Sequence, residues 1–423
     1  MSAARSIALV DGNNFYVSCE RVFDPKLERV PVLVLSNNDG CAIARSEEVK
    51  ALGVGMGDPA FKLRPLIARH HIRVFSSNYP LYGDMSRRVN EVLSGLASAC
   101  EVYSIDETFL DLSGLAERDF RAYGQDVRAT VRRWTGIPTC VGIGPTKTLA
   151  KLANAAAKKN PIFAGVCDLT GPEVRDTTLR AFPVGKVWGV GPALSARLVS
   201  CGVATAAALR DLDPRQARRL GTVVLERIVH ELRGLRCQAL EPIPPTRKGL
   251  AVTRTFGRSL TGLEQVREAV AMHATRAGEK LRAHGLVAGR LGVFVHTSPH
   301  APGPYRHDAR SLRLAPMTAD TRVLVAAAGR CLEAAWHDGA AYIKAGVLLS
   351  DLCPPGAAPS DLLERDRVRS EALMAAMDAV NSRFGRHTLV PAAMGLERSW
   401  QQRAALRSPR YTTRIGELPV VWA

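Results

Sequence analysis

The sequence predicts a multidomain protein of mixed α/β and α+β class. Three observations lead there. Apolar strand runs alternate with amphipathic helical stretches from Ile7 to Pro183. Proline-rich breaks fall at Glu241–Thr246 and Pro354–Pro359. Between them the elements follow a β-α-β-β-α-β order, that of a split βαβ module. A chain of 423 residues is also too long for a single core, so two to four domains are expected.

The first strand is Ile7–Asp11, a short apolar run ending in an acid, with a helix starting at Phe15. Asp11 either caps that helix or offers a carboxylate at the tip of a buried strand. Val30–Leu35 reads as a second buried strand, and Ser36–Gly40 is turn chemistry. Arg45 and Lys50 follow in a strand-to-helix region, either gripping phosphates or sitting as solvated charge. A helix is predicted over Met85–Leu96.

The run Val102–Gly114 carries the most information. Val102–Ile105 and Thr108–Leu112 read as strand, and between them stand two adjacent acids, Asp106 and Glu107. Burying an isolated charge is costly, so a buried pair demands a cation. An exposed hairpin turn is the plainer reading. Neighbouring strand positions point to opposite faces, so the two acids share a site only near a strand end, with a third carboxylate supplied by Asp11.

A helix over Phe120–Trp134, a strand over Thr139–Gly144 and a helix from Lys147 to Lys159 follow. Lys147, Lys151 and Lys158 share one helical face, as a solvated stripe or as a triphosphate clamp. Val184–Pro192 has the hydrophobic-Gly-hydrophobic-Gly pattern of a helix-hairpin-helix. In that motif Gly189 and Gly191 let backbone N–H groups reach a DNA phosphate, with Lys186 beside them. A plain αα turn is the alternative. The split module is read as strands Leu250–Phe256, Arg290–Thr297, Ser311–Leu314 and Ile343–Leu349, with helices Leu263–Ala283 and Arg322–Trp336. It carries 15 Lys/Arg against 7 Asp/Glu between Ile243 and Ser350, a basic sheet suited to DNA backbone. A short helix over Glu371–Val380 and the tail Ser408–Arg414 close the chain. Few large apolar residues there point to docking on partners.

Composition narrows the partners. Apolar content of 46% and charged content of 23% are those of a soluble globular protein. A net charge of +17 with a pI near 9.8 points to a polyanion, nucleic acid ahead of an anionic membrane. No apolar run approaches the roughly 18 residues of a membrane span, and Met1–Asp11 is too short for a signal peptide. The nine cysteines include no Cys-x-x-Cys pair, which suits reduced thiols in the cytoplasm.

Three acids, a lysine face and two DNA-binding modules converge on phosphoryl transfer. A pair of Mg²⁺ ions held by Asp11, Asp106 and Glu107, with the Gly12 carbonyl, would activate a 3′-hydroxyl and stabilise leaving pyrophosphate. Several blocks carry a resemblance: Asp11–Tyr16, Leu35–Cys41, Phe75–Tyr79, Tyr103–Glu107, Thr146–Asn154 and Ser408–Arg414. Together they resemble the Y-family translesion DNA polymerases, with Leu35–Cys41 and the tail specific to the UmuC-type branch.

The resemblance implies a right-hand polymerase. The palm would span 1–183 with fingers inserted over roughly 22–78, and the helical thumb 184–240. The little finger would span 243–352, with a linker and partner-binding tail over 353–423. It implies low-fidelity synthesis on primer-template DNA from dNTPs, opposite damaged bases in the SOS response, with localisation to the cytoplasm and the nucleoid. Nucleotide contacts would come from Asn13, Asn14, Phe15, Tyr16, Arg45, Lys50 and Lys158, Tyr16 excluding the ribose 2′-hydroxyl. DNA contacts would come from Lys186, Gly189, Gly191, Arg254 and Arg258. Asp361, Leu362 and Leu363 resemble the end of a sliding-clamp peptide without its leading glutamine. A UmuD′ dimer and a RecA filament are the further partners implied. The chain departs at Glu47, where many relatives place a tyrosine, and at Thr108, where alanine is commoner.

Three rivals stand beside this reading. A non-catalytic accessory factor would have lost the acids. A nucleotide cyclase would not need a DNA-binding hairpin or a basic module. The polymerase IV branch lacks the Leu35–Cys41 block and the long tail.

Overall fold

The computed structural model describes residues 6–115, 119–243, 245–301, 304–359, 367–395, 400 and 404–418. The chain folds as two compact units, one of Met1–Ser36, Gly40–Pro245 and Leu406–Ala423, the other of Asn37–Asp39 and Thr246–Ala405. Asp361, Leu362 and Leu363 lie outside the described residues.

The first unit opens with β1 (Ile7–Gly12), buried along its whole length, and α1 (Phe15–Phe23). A small sheet follows from β2 (Val32–Leu35) and β3 (Ala42–Arg45), then α2 (Glu47–Ala51), α3 (Ala60–Arg69) and β4 (Arg73–Ser76), in the order β3-β2-β4. Next comes α4 (Tyr79–Ser94), six residues earlier at its start than predicted, because Pro80 sits in the first turn where no N–H is needed. The hairpin strands β5 (Cys100–Val102) and β6 (Glu107–Asp111) follow. Residues 103–106 form the connection rather than continuing a strand as expected. With α5 (Phe120–Thr135), β7 (Thr139–Gly144), α6 (Lys147–Lys159) and β8 (Val166–Asp168), the main sheet takes the order β5-β6-β1-β7-β8.

Period-two alternation sorts β1. Ala8 and Val10 join a core with Leu93 of α4 and Val127 and Val131 of α5. Ile7 and Leu9 face the other way, with Phe109 and Ala150 of α6. Gly142 is what lets α6 lie so close: a Cβ there would stand 2.0 Å from the Asn154 backbone nitrogen. Asn154 Nδ2 then donates to the Leu9 and Cys140 carbonyls at 3.3 and 2.8 Å, pinning the helix to two strands.

Helices α7 (Pro172–Ala181), α8 (Pro192–Ser200), α9 (Ala206–Asp211) and α10 (Pro214–Leu232) complete this unit. Leu198, Leu209, Leu225 and Leu232 share one core with Leu149 and Leu152 of α6. The boundary expected at residue 184 is therefore no break in packing.

The second unit runs β9 (Gly249–Leu260), α11 (Leu263–Ala283), β10 (Val287–Thr297), β11 (His307–Thr318), α12 (Thr321–Ala335) and β12 (Tyr342–Cys353). All pairs are antiparallel in the order β11-β10-β12-β9. Val252, Leu291, Val293, Val295 and Val347 turn to Val266, Val270, Leu324 and Leu332 of the two helices. A further helix, α13 (Arg367–Phe384), buries Met374 and Met377. The tail packs within the first unit, where Tyr411 stacks on Phe23 at 4.7 Å. All nine cysteines are free. Among the described residues no helix is long and apolar enough to cross a membrane.

Candidate active site

Strand register creates the site. Asp11 and Glu107 are direct partners across β1 and β6. Asp11 shares parity with Ile7 and Leu9, and Glu107 with Phe109, so both acids belong to the face that α6 covers. Asp106 stands in the turn just before β6, its carbonyl accepting from the Gly12 N–H at 2.8 Å. The three acids expected to act together are thus neighbours built from two distant stretches.

Each acid has its own partner. Lys158 Nζ lies 2.6 Å from Asp11 Oδ2, and Lys151 Nζ lies 2.8 Å from Glu107 Oε1. Ser104 Oγ donates to Asp106 Oδ1 at 2.6 Å. The lysine stripe is therefore not a purely solvated face, since its ammonium groups sit on acids. Lys147 completes the pattern at 2.5 Å from Glu101. Lys151 is also caged by aromatic faces, 4.4 Å from the Tyr103 ring and 5.3 Å from that of Trp188. Burial pushes the Asp11 carboxyl up to about 6 against the pull of Lys158, and the charges of Asp106 and Glu107 add to the rise. Among the described residues no three His, Cys, Asp or Glu side chains already converge on one point. The donor set nevertheless suits hard cations: adjoining oxygen ligands, two of which already hold an ammonium ion.

Two cavities meet at this cluster. One, of about 310 Å³, is lined by Asp11, Gly12, Asn14, Phe15, Tyr16, Arg45, Lys50, Asp106 and Lys158. The other, of about 250 Å³, is lined by Asp11, Glu107, Lys151, Lys158, Lys186 and Trp188. Asp11 and Lys158 border both, Asp106 only the first and Glu107 only the second. A larger cavity of about 500 Å³ lies in the second unit, but there Asp378 and Asp320 are already held by Arg282 and Arg322.

The expected nucleotide-contacting residues divide. Tyr16 stacks on Tyr82, ring centroids 4.5 Å apart, and burial raises its phenol to about 12. Lys50 Nζ donates to Asn14 Oδ1 at 2.6 Å and to Glu47 Oε1 at 2.7 Å, and Asn14 Nδ2 donates to the same Glu47 oxygen. Glu47 is thus the anchor of a basic rim rather than a bare negative charge. Burial opposes its ionisation, but the Lys50 and Asn14 hydrogen bonds prevail and hold the carboxyl below its usual range. Arg45 donates to the Val54 carbonyl at 2.8 Å. Phe15 is 4% exposed and belongs mainly to the core. Asn13 gives its backbone N–H to the Pro138 carbonyl at 2.8 Å and lines neither cavity. Thr108 Oγ1 donates to Asn90 Oδ1 at 2.5 Å, which satisfies its hydroxyl inside the core.

The expected DNA contacts also divide. Lys186, Gly189 and Gly191 are exposed at the start of α8; Gly189 has φ +88°, and Gly191 is an N-cap with no side chain over the first turn. On β9, Arg254 pairs with Ala345, on the parity of Val252 and Val347 that faces the helices, and is itself exposed. The open face of the sheet also presents Arg290 opposite Arg313 across β10 and β11, and, six residues further along β10, Lys344 of β12 opposite His296. Arg258 is exposed beyond a register shift in β9. Parity within Arg290–Thr297 and Ser311–Leu314 was the available signal for the open-face arginines, and the whole-segment charge excess obscured it.

Comparison with known proteins gives the chain's family and fold. The chain matches the impB/mucB/samB family over residues 10–155, the C-terminal domain of that family over 247–362, and a domain of unknown function (DUF4113) over 371–421. It is 43% identical to Protein UmuC of Salmonella typhimurium, over 97% of this chain and 99% of that one. It is 29% identical to DNA polymerase IV of Desulfatibacillum aliphaticivorans, over 91% and 96%. A solved Y-family DNA polymerase chimera of Dbh and Dpo4 shares the fold with a TM-score of 0.67, at 19% identity, over 82% of this chain and 99% of that one.

Proposed function

The chain belongs to the impB/mucB/samB family, and from that premise we infer that it is a Y-family, UmuC-type DNA-directed DNA polymerase. It adds deoxynucleotides to a primer 3′ end opposite damaged template bases. The observation that carries the chemistry is the pair of cavities joined at Asp11. One suits the incoming nucleotide and the other the primer terminus.

Asp11, Asp106, Glu107 and the Gly12 carbonyl would hold two Mg²⁺ ions, which when bound activate the 3′-hydroxyl and stabilise the departing pyrophosphate. Asp106 faces the nucleotide cavity and Glu107 the primer cavity, which divides the ligands by side. Lys50, Arg45 and Lys158 put positive charge along the nucleotide cavity, where a triphosphate would lie. Tyr16 lines this cavity with a ring held flat against Tyr82, where it would oppose a ribose 2′-hydroxyl. The first turn of α8, with Lys186, takes a DNA phosphate near the primer cavity. The open sheet face of the second unit holds backbone through Arg290, Arg313 and Lys344, giving grip without reading sequence.

A polymerase of this type works on cytoplasmic, nucleoid DNA. A UmuD′ dimer and a RecA filament are the partners that fit the UmuC-type reading, with the sliding clamp a further one through Asp361–Leu363. Primer extension across an abasic site in Mg²⁺, with and without UmuD′ and RecA, tests the assignment. Incorporation opposite the lesion is expected; none under either condition overturns it.

A further inference from the structure

Among the described residues the Tyr16 hydroxyl makes no hydrogen bond; its ring meets the edge of Tyr79 at 6.0 Å and lies closest to the ring beneath it. That ring, Tyr82, is fully buried and stacks at an interplanar angle of 13°. Its hydroxyl donates at 2.6 Å to Oε1 of Glu20, one helical turn beyond Tyr16 on α1. Glu20 is itself 2% exposed. A buried carboxylate needs donors, and the second one comes from the far end of the chain: Ser408 Oγ donates to the same Glu20 oxygen at 3.0 Å.

Ser408 is in turn fixed by Asn78. The Asn78 amide donates to the Ser408 hydroxyl at 2.9 Å and to the Ser408 and Pro409 carbonyls at 3.0 and 3.1 Å. The tail is also laced to the end of β4: the Ser76 N–H meets the Leu406 carbonyl, and the Leu406 N–H meets the Ser76 hydroxyl. A continuous, buried line of contacts thus runs from the tail to the ring at the sugar end of the nucleotide cavity.

We propose that Ser408, Glu20 and Tyr82 are positioning residues for sugar selection, the tail hydroxyl fixing the platform against which Tyr16 excludes a ribose 2′-hydroxyl. This rests on the reading of Tyr16 as the residue that excludes that hydroxyl. Without Ser408, Glu20 keeps a single donor, Tyr82 is held by a weaker anchor, and the stacked pair can tilt to admit the larger sugar. Selectivity thereby depends on a segment remote in sequence from the acids.

The test compares kcat/KM for a dNTP and for the matching rNTP in the full chain and four variants. Ser408→Ala and Asn78→Ala are each expected to lower the dNTP:rNTP ratio by roughly 3- to 10-fold, part of the effect of a hydrogen bond to a charged group. The change should lie in KM for the ribonucleotide. Ser408→Thr, which keeps the hydroxyl, should hold the ratio near that of the parent chain. Tyr16→Ala is the reference and should lose most of the discrimination. If Tyr16→Ala loses it while Ser408→Ala and Asn78→Ala keep the parental ratio, even with both rates reduced, the proposal is overturned and the gate stands. If Tyr16→Ala itself leaves the ratio unchanged, the gate reading falls and this proposal with it.

Discussion

Asp11 and Glu107 face each other as register partners on β1 and β6, yet their carboxylates bind different lysines. Two like charges at one strand end are tolerated because α6 supplies an ammonium ion to each. The same pairing leaves Asp11 common to two cavities, which is what a reaction joining two substrates requires.

Asp106→Asn removes a charge from the nucleotide side without touching either lysine pair. dNTP incorporation should fall at least about 10²-fold, the worth of a few kcal/mol of charge stabilisation. Primer-template affinity measured by fluorescence anisotropy should stay near the parent value. Extension at the parent rate would retire the assignment.

Tyr16→Ala opens the sugar end of the nucleotide cavity while Tyr82 remains anchored to Glu20. Ribonucleotide incorporation should rise relative to dNTP by at least about tenfold, since a steric clash worth over 1.4 kcal/mol is removed. Single-nucleotide insertion with paired rNTP and dNTP titrations gives the ratio.

Gly189→Glu places a side chain at φ +88°, with a Cβ 2.8 Å from Ile228 Cδ1, and an anion near the exposed start of α8. Backbone strain of about 1–3 kcal/mol is expected. DNA affinity should weaken by a similar factor on several unrelated sequences. Weakening confined to one sequence would argue against phosphate contact there.

Arg290→Ala and Arg313→Ala should each make the salt dependence of DNA binding shallower, by about one counterion. Arg254→Ala, on the helix-covered parity, should change the slope less. The slope of log Kd against log salt concentration decides between the two faces, and an Arg254 effect equal to the others would contradict the register argument.

His273 is fully buried on α11 beside Trp400, and neither ring nitrogen finds a partner among the described residues. Burial, with the Arg254 charge adding to it, depresses its pKa from 6.5 to about 3. The folded state therefore stays neutral while the unfolded chain takes up a proton below pH 6.5. Stability is lost as pH falls toward 3, at up to about 1.4 kcal/mol per pH unit. His273→Phe should flatten that part of the profile. Urea midpoints at pH 7 and pH 5 for the two proteins measure the difference, and parallel profiles would show that this histidine is not responsible.

Local pattern made much of the fold legible. Thr139–Gly144 is a strand end to end, and Phe120–Thr135 a helix one residue longer than expected, because capping and periodicity are properties of adjacent residues. The acid triad was legible for the same reason: an apolar run that ends in a carboxylate announces its own anomaly. Contacts that depend on distant partners were not. Spacing puts Lys147, Lys151 and Lys158 on one face, but only the packing of α6 on the sheet, through Gly142 and Asn154, decides that they meet acids. Which face Arg254 takes depends on the pairing of β9 with β12, which no charge count contains. Ser408 and Glu20 lie 388 positions apart, and nothing near either one names the other.

That separation also sets an order of events during synthesis. Glu20 leaves the ribosome 388 positions ahead of Ser408, so helix α1 can form before its second donor exists. Under the positioning role proposed above, a polypeptide ended before Ser408 would hold its acids and its cavities and still lack the stitch behind Tyr82.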